Sequence, residues 1–95
     1  MTVRYTRQAL ADLEEARRYI ALDRPAAAAS VAVSLRRAID GLRLFPDRGR
    51  PGRVAGTREL VVIGTPFVVA YRVADPNVDI LAILHGARMW PMGFG

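Results

Sequence analysis

The 95-residue sequence contains no cysteine and no lysine, and no apolar run long enough to cross a membrane. Without cysteine, there are no disulfide bonds and no thiolate nucleophiles or metal ligands. Without lysine, all 14 basic side chains are guanidinium groups, and no side-chain amine can serve as a general base. Since a membrane span needs about 20 apolar residues, we expect no membrane association. Polar, strand-like residues follow Met1 at once, so we also expect no signal peptide and a cytoplasmic location.

The remaining composition predicts one small domain over residues 1–95. Apolar residues make up 52% of the chain, which is enough for a single hydrophobic core. The net charge of +5 favours an anionic partner, either a nucleic acid or an acidic protein segment. With one histidine and no cysteine, the sequence predicts no metal site, and we expect no cofactor.

The first half of the chain has the periodicity of a strand followed by two helices. We expect a strand over residues 1–5 and an antiparallel helical hairpin over residues 7–45, because very few residues join the two helices. Thr6 is expected to cap the first helix, and Pro25 to open the second. The predicted apolar stripes are Leu10, Leu13, Ala16 and Ile20 in the first helix, and Ala28, Val31, Leu35, Ala38, Ile39 and Leu42 in the second.

The second half reads as a basic loop and three strands. Two prolines and three glycines mark residues 46–56 as a loop. Strands are expected over 57–63, 67–74 and 78–84, with short turns between them that predict an antiparallel meander. Residues 57–91 thus complete one sheet with its C-terminal segment, and residues 92–95 form a loose tail. The predicted fold class is α+β.

Several charged or titratable groups are candidates for function. The last strand leads into His85, whose ring could act as a general acid or base, or simply fix the exit of the strand by a hydrogen bond. Arg43, Arg48, Arg50 and Arg53 form a cluster that could contact an anionic partner or belong to a solvated connector. The carboxylates of Asp12, Glu14 and Glu15 are expected to be surface charge, because arginines follow one turn later on the same helix.

This arrangement of residues resembles the RelE/ParE superfamily of bacterial toxins, and within it the ParE branch, often called plasmid-stabilisation proteins. The resemblance extends over about 90 residues, and it is the whole series at these spacings that is specific. The matching residues are Ala9, Asp12-Leu13, Pro25, Ala28, Ile39, Leu42, Pro46, Gly49-Arg50, Arg58-Glu59-Leu60, Tyr71-Arg72-Val73, Ile80-Leu81, His85, Arg88 and Trp90-Pro91.

The resemblance implies the toxin of a type II toxin–antitoxin module, which inhibits growth and is neutralised in a hetero-oligomer with a cognate antitoxin. A ParE-like toxin would act on DNA gyrase without being an enzyme. The alternative is a RelE-like, ribosome-dependent mRNA endonuclease that would use Arg58, His85 and Arg88. A third reading is a non-toxic remnant that only binds its antitoxin.

The resemblance also implies roles for individual side chains. Arg58 matches an arginine that faces the scissile phosphate in RelE-like relatives, although it could equally form an ion pair with a carboxylate of the helices. The expected target or anion contacts are Arg50, Arg58, Arg88 and Trp90. After Arg88 no side chain can transfer a proton, because Trp90 offers only a ring and one N–H donor. The C-terminal segment therefore favours recognition over catalysis.

Overall fold

The chain forms two helices and one five-stranded sheet in a computed structural model that describes residues 1–86, apart from the side chain of Asp23. This arrangement confirms the predicted α+β class. None of the helices among these residues is long and apolar enough to cross a membrane. The elements are β1 (Thr2–Tyr5), α1 (Arg7–Asp23), α2 (Pro25–Gly41), β2 (Arg50–Pro51), β3 (Arg58–Val61), β4 (Phe67–Ala74) and β5 (Asn77–His85).

Both ends of the helical hairpin are set by local chemistry. The Thr6 hydroxyl accepts a hydrogen bond from the Ala9 N–H at 3.1 Å, which confirms the predicted cap, and it donates to the Ile80 carbonyl at 3.0 Å. Pro25 opens α2 as expected. The second helix ends at Gly41 rather than near residue 45, because residues 42–45 turn back and the Phe45 N–H donates to the Gly41 carbonyl at 3.0 Å.

The sheet has the strand order β1-β5-β4-β3-β2. The predicted meander is present, since β3, β4 and β5 pair in antiparallel fashion, while β1 runs parallel to β5. The short strand β2 lies inside the predicted loop and was missed, because two residues ending in proline carry no strand periodicity. The first strand of the meander spans Arg58–Val61, shorter than the expected residues 57–63, and the last spans Asn77–His85.

The core lies between the helical hairpin and the sheet, and its apolar side chains come from both. Leu10 was wrongly assigned to it: this side chain is 54% exposed, whereas the neighbouring Ala9 is fully buried. Both positions fit helical spacing with Leu13, so periodicity alone does not choose between them. The buried cluster comprises Ala9, Ala16, Leu35, Ile39, Leu42, Leu60, Val62, Phe67, Val69, Tyr71, Val78, Ile80 and Ile83.

Asp12 corrects a second expectation, because its carboxylate is not ordinary surface charge. One carboxylate oxygen accepts from the Ile83 N–H at 3.0 Å, and the other accepts from the Gln8 side chain at 2.7 Å. The strand β1 ends at Tyr5, opposite Ile80, so the Ile83 N–H lies beyond the reach of that pairing. Asp12 therefore satisfies a backbone donor on the exposed part of the β5 edge and joins α1 to the sheet.

Candidate functional site

The basic loop, defined as residues 46–56, is attached to the sheet by Tyr71 of β4. The Tyr71 hydroxyl donates to the Pro46 carbonyl at 2.6 Å and accepts from the Gly49 N–H at 2.8 Å. Its side chain is fully buried, and this burial raises the pKa of Tyr71 above the usual value of a phenol. A Cβ atom on Gly49 would lie only 2.7 Å from the tyrosine ring, so this contact requires glycine.

Arg58 of β3 provides the second attachment of the basic loop. Its Nη1 donates to the Gly49 carbonyl at 2.7 Å and to the Asp47 carbonyl at 3.4 Å, while its Nη2 lies 3.4 Å from the Asp47 carboxylate. The expected partner was a carboxylate of the helices, but the structure shows a carboxylate of the loop instead. Because three acceptors already surround the guanidinium, Arg58 is first of all a structural residue here.

Glu59 provides the third attachment and was not singled out from the sequence. Only 4% of its surface is exposed, and its carboxylate accepts from the Arg50 guanidinium at 3.2 Å and from the Arg53 N–H at 2.9 Å. An ionisable residue inside an apolar strand, opposite an arginine-rich loop, is a signal that could have identified it. The predicted anion contact Arg50 is thus already paired on one side, although 61% of its side chain stays exposed.

The arginines before and within the basic loop have different environments. Arg43 forms an ion pair with Asp40 at 3.2 Å. The Arg48 guanidinium lies 5.0 Å from the centre of the Phe45 ring, in a cation–π contact. Within the cluster expected from the sequence, Arg43 and Arg50 are therefore paired with carboxylates, whereas Arg48 rests on an aromatic ring.

His85 and Arg58 belong to the two strands that flank β4, and they lie at different positions along it. Its ring is half-buried and makes edge contacts with Tyr19 at 5.6 Å and Phe67 at 5.9 Å between ring centres. His85 pairs with Phe67, whereas Arg58 pairs with Tyr71, four positions further along β4. At about 3.3 Å per residue this separates the two backbone positions by about 13 Å along the strand direction. Arg88 and Trp90 lie outside the described residues.

A groove between α1 and α2 is the second feature of interest. It has a volume of about 290 Å³. Its apolar lining comes from Tyr5, Leu13, Val31, Ala32, Leu35 and Ile39, and its charged lining from Glu14, Arg17 and Arg36. Since Glu14 is bound by Arg17 and Arg18 at 2.6 and 3.3 Å, the groove presents an apolar recess with a predominantly basic rim.

Neither feature has the composition of a metal centre. Within residues 1–86, no three histidine or carboxylate side chains are clustered as metal ligands. In the same part of the chain, every buried side-chain nitrogen or oxygen has a hydrogen-bond partner. The polar groups beneath the basic loop therefore act on one another, and the arrangement is suited to fixing a protein surface.

Comparison with known proteins identifies this arrangement as a toxin fold. A chain of the chromosomal ParDE toxin–antitoxin system from P. aeruginosa superposes with a TM-score of 0.82 at 27% identity, covering 90% of this chain and 95% of that one. The RelBE2 toxin–antitoxin complex from Mycobacterium tuberculosis matches with a TM-score of 0.58 at 31% identity, over 88% of this chain and 95% of that one.

Comparison of sequences shows to which family of toxins the chain belongs. Toxin RelE2 of Caulobacter vibrioides is 46% identical over 85 residues, which is 90% of this chain and 94% of the relative. The family profile described as "ParE toxin of type II toxin-antitoxin system, parDE" matches residues 3–90. The chain therefore belongs to the ParE toxin family of the RelE/ParE superfamily.

Proposed function

We propose that this toxin inhibits growth by acting on DNA gyrase and that a cognate antitoxin neutralises it by occupying the groove between α1 and α2. The observation that carries the choice of target is the separation of Arg58 from His85. These are two of the three side chains that RNA cleavage would require, and they come from the two strands that flank β4, at register positions four residues apart along it.

The engagement of Arg58 supports the same choice. General acid–base cleavage needs its groups within hydrogen-bond reach of one substrate atom. The Arg58 guanidinium is instead directed at the Gly49 carbonyl, 2.7 Å away, and at Asp47. A toxin that acts by binding its target needs no such catalytic set, so this geometry is compatible with a gyrase inhibitor.

The second candidate is ribosome-dependent cleavage of mRNA. It is favoured by the 46% identity to a relative named Toxin RelE2. In that case Arg58 would have to leave the Gly49 carbonyl to reach a phosphate, and the basic loop would lose one of its three attachments.

Two assays with the purified chain separate these candidates. Gyrase, supercoiled DNA and ATP are incubated with the toxin, and translating ribosomes are treated in parallel. We expect linear DNA in the first assay and intact message in the second. Cuts at defined codon positions, together with unbroken DNA, would replace gyrase by the ribosome as the target.

His85→Ala is the informative variant in both assays. A gyrase inhibitor should keep its potency, because the edge contacts of His85 with the rings of Tyr19 and Phe67 involve no proton transfer. A nuclease should lose about 100-fold in rate or more. The matched control is Tyr19→Phe, which keeps the ring that packs against His85.

The proposed antitoxin site follows from the chemistry of the groove. Both matched structures come from toxin–antitoxin systems. Here the apolar recess with Arg17 and Arg36 at its rim suits an amphipathic helix that carries carboxylates on its flanks. The antitoxin should therefore present an acidic, amphipathic segment.

Ala32→Glu tests this site, because it introduces a carboxylate into the recess while keeping a residue compatible with the helix. We expect the affinity for the antitoxin encoded by the neighbouring reading frame to fall about 30-fold or more. Ser30→Glu is the control, since Ser30 is exposed on the same helix and does not line the groove. Equal affinity for both variants would exclude the groove as the antitoxin site.

A further inference from the structure

Two adjacent large apolar side chains are exposed directly after α2. Leu44 is 79% exposed and Phe45 is 56% exposed. Arg48 lies beside them, with its guanidinium 5.0 Å from the centre of the Phe45 ring. These three residues are called the 44–48 surface below. An aromatic ring, an aliphatic side chain and an arginine in one place are the composition of a protein-binding hot spot.

The backbone beneath the 44–48 surface is held in place. The Leu44 and Phe45 N–H groups both donate to the Gly41 carbonyl, at 3.3 and 3.0 Å, and the Arg48 N–H donates to the Phe45 carbonyl at 3.1 Å. The buried Tyr71 hydroxyl fixes the Pro46 carbonyl in between, at 2.6 Å. An exposed surface that is already ordered loses little conformational entropy when it binds a partner.

The Arg48 guanidinium is also positioned from both sides. It lies on the Phe45 ring, and a Cβ atom on Gly41 would approach its Nη1 to 3.2 Å, so the glycine leaves room for it. This contact restrains the long arginine side chain before any partner arrives.

The charges around the 44–48 surface favour an acidic partner. Nearby carboxylates are matched with other arginines: Asp40 with Arg43, Asp47 with Arg58 and Glu59 with Arg50. Within the described residues, no carboxylate lies at ion-pair distance from Arg48. Its charge therefore remains available to a carboxylate of another molecule.

We propose that the 44–48 surface binds the toxin's protein target, through an apolar pocket that receives Leu44 and Phe45 and a carboxylate that pairs with Arg48. The partner is a protein rather than a nucleic acid for two reasons. The aliphatic side chain of Leu44 cannot bind a phosphate, and Arg48 already covers the Phe45 ring on which a base would stack. The identity of the target as gyrase rests on the proposed function, whereas the surface does not.

None of the three residues of this surface lines the proposed antitoxin groove. Two variants test the 44–48 surface, Phe45→Ala and Arg48→Glu. Their matched controls are Ile63→Ala, an apolar residue that is 91% exposed elsewhere, and Arg7→Glu, an exposed arginine at the start of α1. All four are assayed for growth inhibition, binding to immobilised gyrase, antitoxin affinity and melting temperature.

We expect both test variants to bind gyrase about 30-fold more weakly or worse, and to lose growth inhibition in parallel. Melting temperature and antitoxin affinity should equal those of the control variants. Gyrase binding and toxicity that match the controls would overturn the proposal, and so would a loss of antitoxin affinity, which would assign the surface to the antitoxin.

Two further results discriminate the remaining cases. In the first, only Arg48→Glu of the two test variants loses growth inhibition, and it loses binding to a duplex DNA probe to the same degree. The partner is then a nucleic acid and the proposal is wrong. If the wild-type chain does not bind gyrase, the proposed function fails, and growth inhibition then decides the surface. If both test variants lose toxicity and both control variants keep it, the surface binds another protein target. If all four variants stay toxic, the proposal for this surface is wrong.

Discussion

The hairpin of α1 and α2 packs on the sheet through apolar side chains, whereas the basic loop is attached to the same sheet by hydrogen bonds. Leu35 and Ile39 of α2 are each 1% exposed in the core. The loop instead depends on the Tyr71 hydroxyl, the Arg58 guanidinium and the Glu59 carboxylate. The hairpin should therefore determine global stability, while the loop contacts determine the local geometry of a binding surface.

This comparison has a functional counterpart. The groove in the hairpin is a recess lined by apolar side chains, and we assign it to the antitoxin. The 44–48 surface at the edge of the basic loop projects outward and is held by polar contacts beneath it, and we assign it to the target. Variants that affect one region and leave the other intact can separate neutralisation from toxicity.

The largest effect is expected from the apolar side of the comparison. Ile39→Ala removes methyl groups from the core beneath the groove, and should lower the free energy of unfolding by about 2–5 kcal/mol. Chemical denaturation monitored by circular dichroism measures this change. Val33→Ala on the same helix is the control, because Val33 is 49% exposed. If Ile39→Ala costs less stability than Tyr71→Phe, the apolar contacts of the hairpin do not dominate global stability.

Tyr71→Phe tests the hydrogen bonds that hold the basic loop, at nearly constant side-chain volume. Removing the hydroxyl leaves the Pro46 carbonyl and the Gly49 N–H without their partner, which should cost about 1–3 kcal/mol. Amide hydrogen exchange of the loop should increase more than that of the helices. Tyr19→Phe, in which the hydroxyl belongs to a half-exposed ring, should change neither quantity. If amide exchange increases equally in the loop and the helices, the Tyr71 hydroxyl stabilises the whole fold rather than the loop alone.

The pH dependence of stability follows from the same tyrosine. Burial raises the pKa of Tyr71 in the folded state, so above about pH 10 the unfolded chain releases a proton that the folded chain retains. Stability is therefore complete below about pH 10 and decreases as the pH rises toward the folded pKa. Denaturation between about pH 9 and 12 should show a weaker decrease in Tyr71→Phe than in the wild type. Identical pH profiles would exclude Tyr71 as a contributor.

The smallest effect is expected from the exposed ion pairs on α1. Glu14 accepts from Arg17 at 2.6 Å and from Arg18 at 3.3 Å, but all three side chains are about half exposed or more. Exposed pairs of this kind contribute little in water. Glu14→Gln should leave the melting temperature unchanged within replicate scatter, and a clear decrease would mean that the groove rim is more rigid than its exposure indicates.

Local chemistry made much of the fold predictable. The spacing of Leu35, Ile39 and Leu42 identified the buried face of α2, and Pro25 marked its first turn. The apolar strand segments and the two short turns between them located the meander. Leu10 was wrongly assigned to the core, because helical spacing allowed either Ala9 or Leu10 to face it, and β2 was missed, because Arg50–Pro51 is too short for a periodic signal.

The sequence by itself determined the fold class, the hairpin, the all-arginine basic chemistry and the resemblance to the toxin family, because propensity, periodicity and residue spacing act over a few positions or one element. The tertiary structure alone decided which polar groups pair. Asp12 reaches Ile83 across 71 positions, and Tyr71 reaches Pro46 across 25. Such contacts depend on how separate elements meet in space, so only the folded chain shows that Arg58 and Glu59 hold the loop while Arg48 is available to a partner.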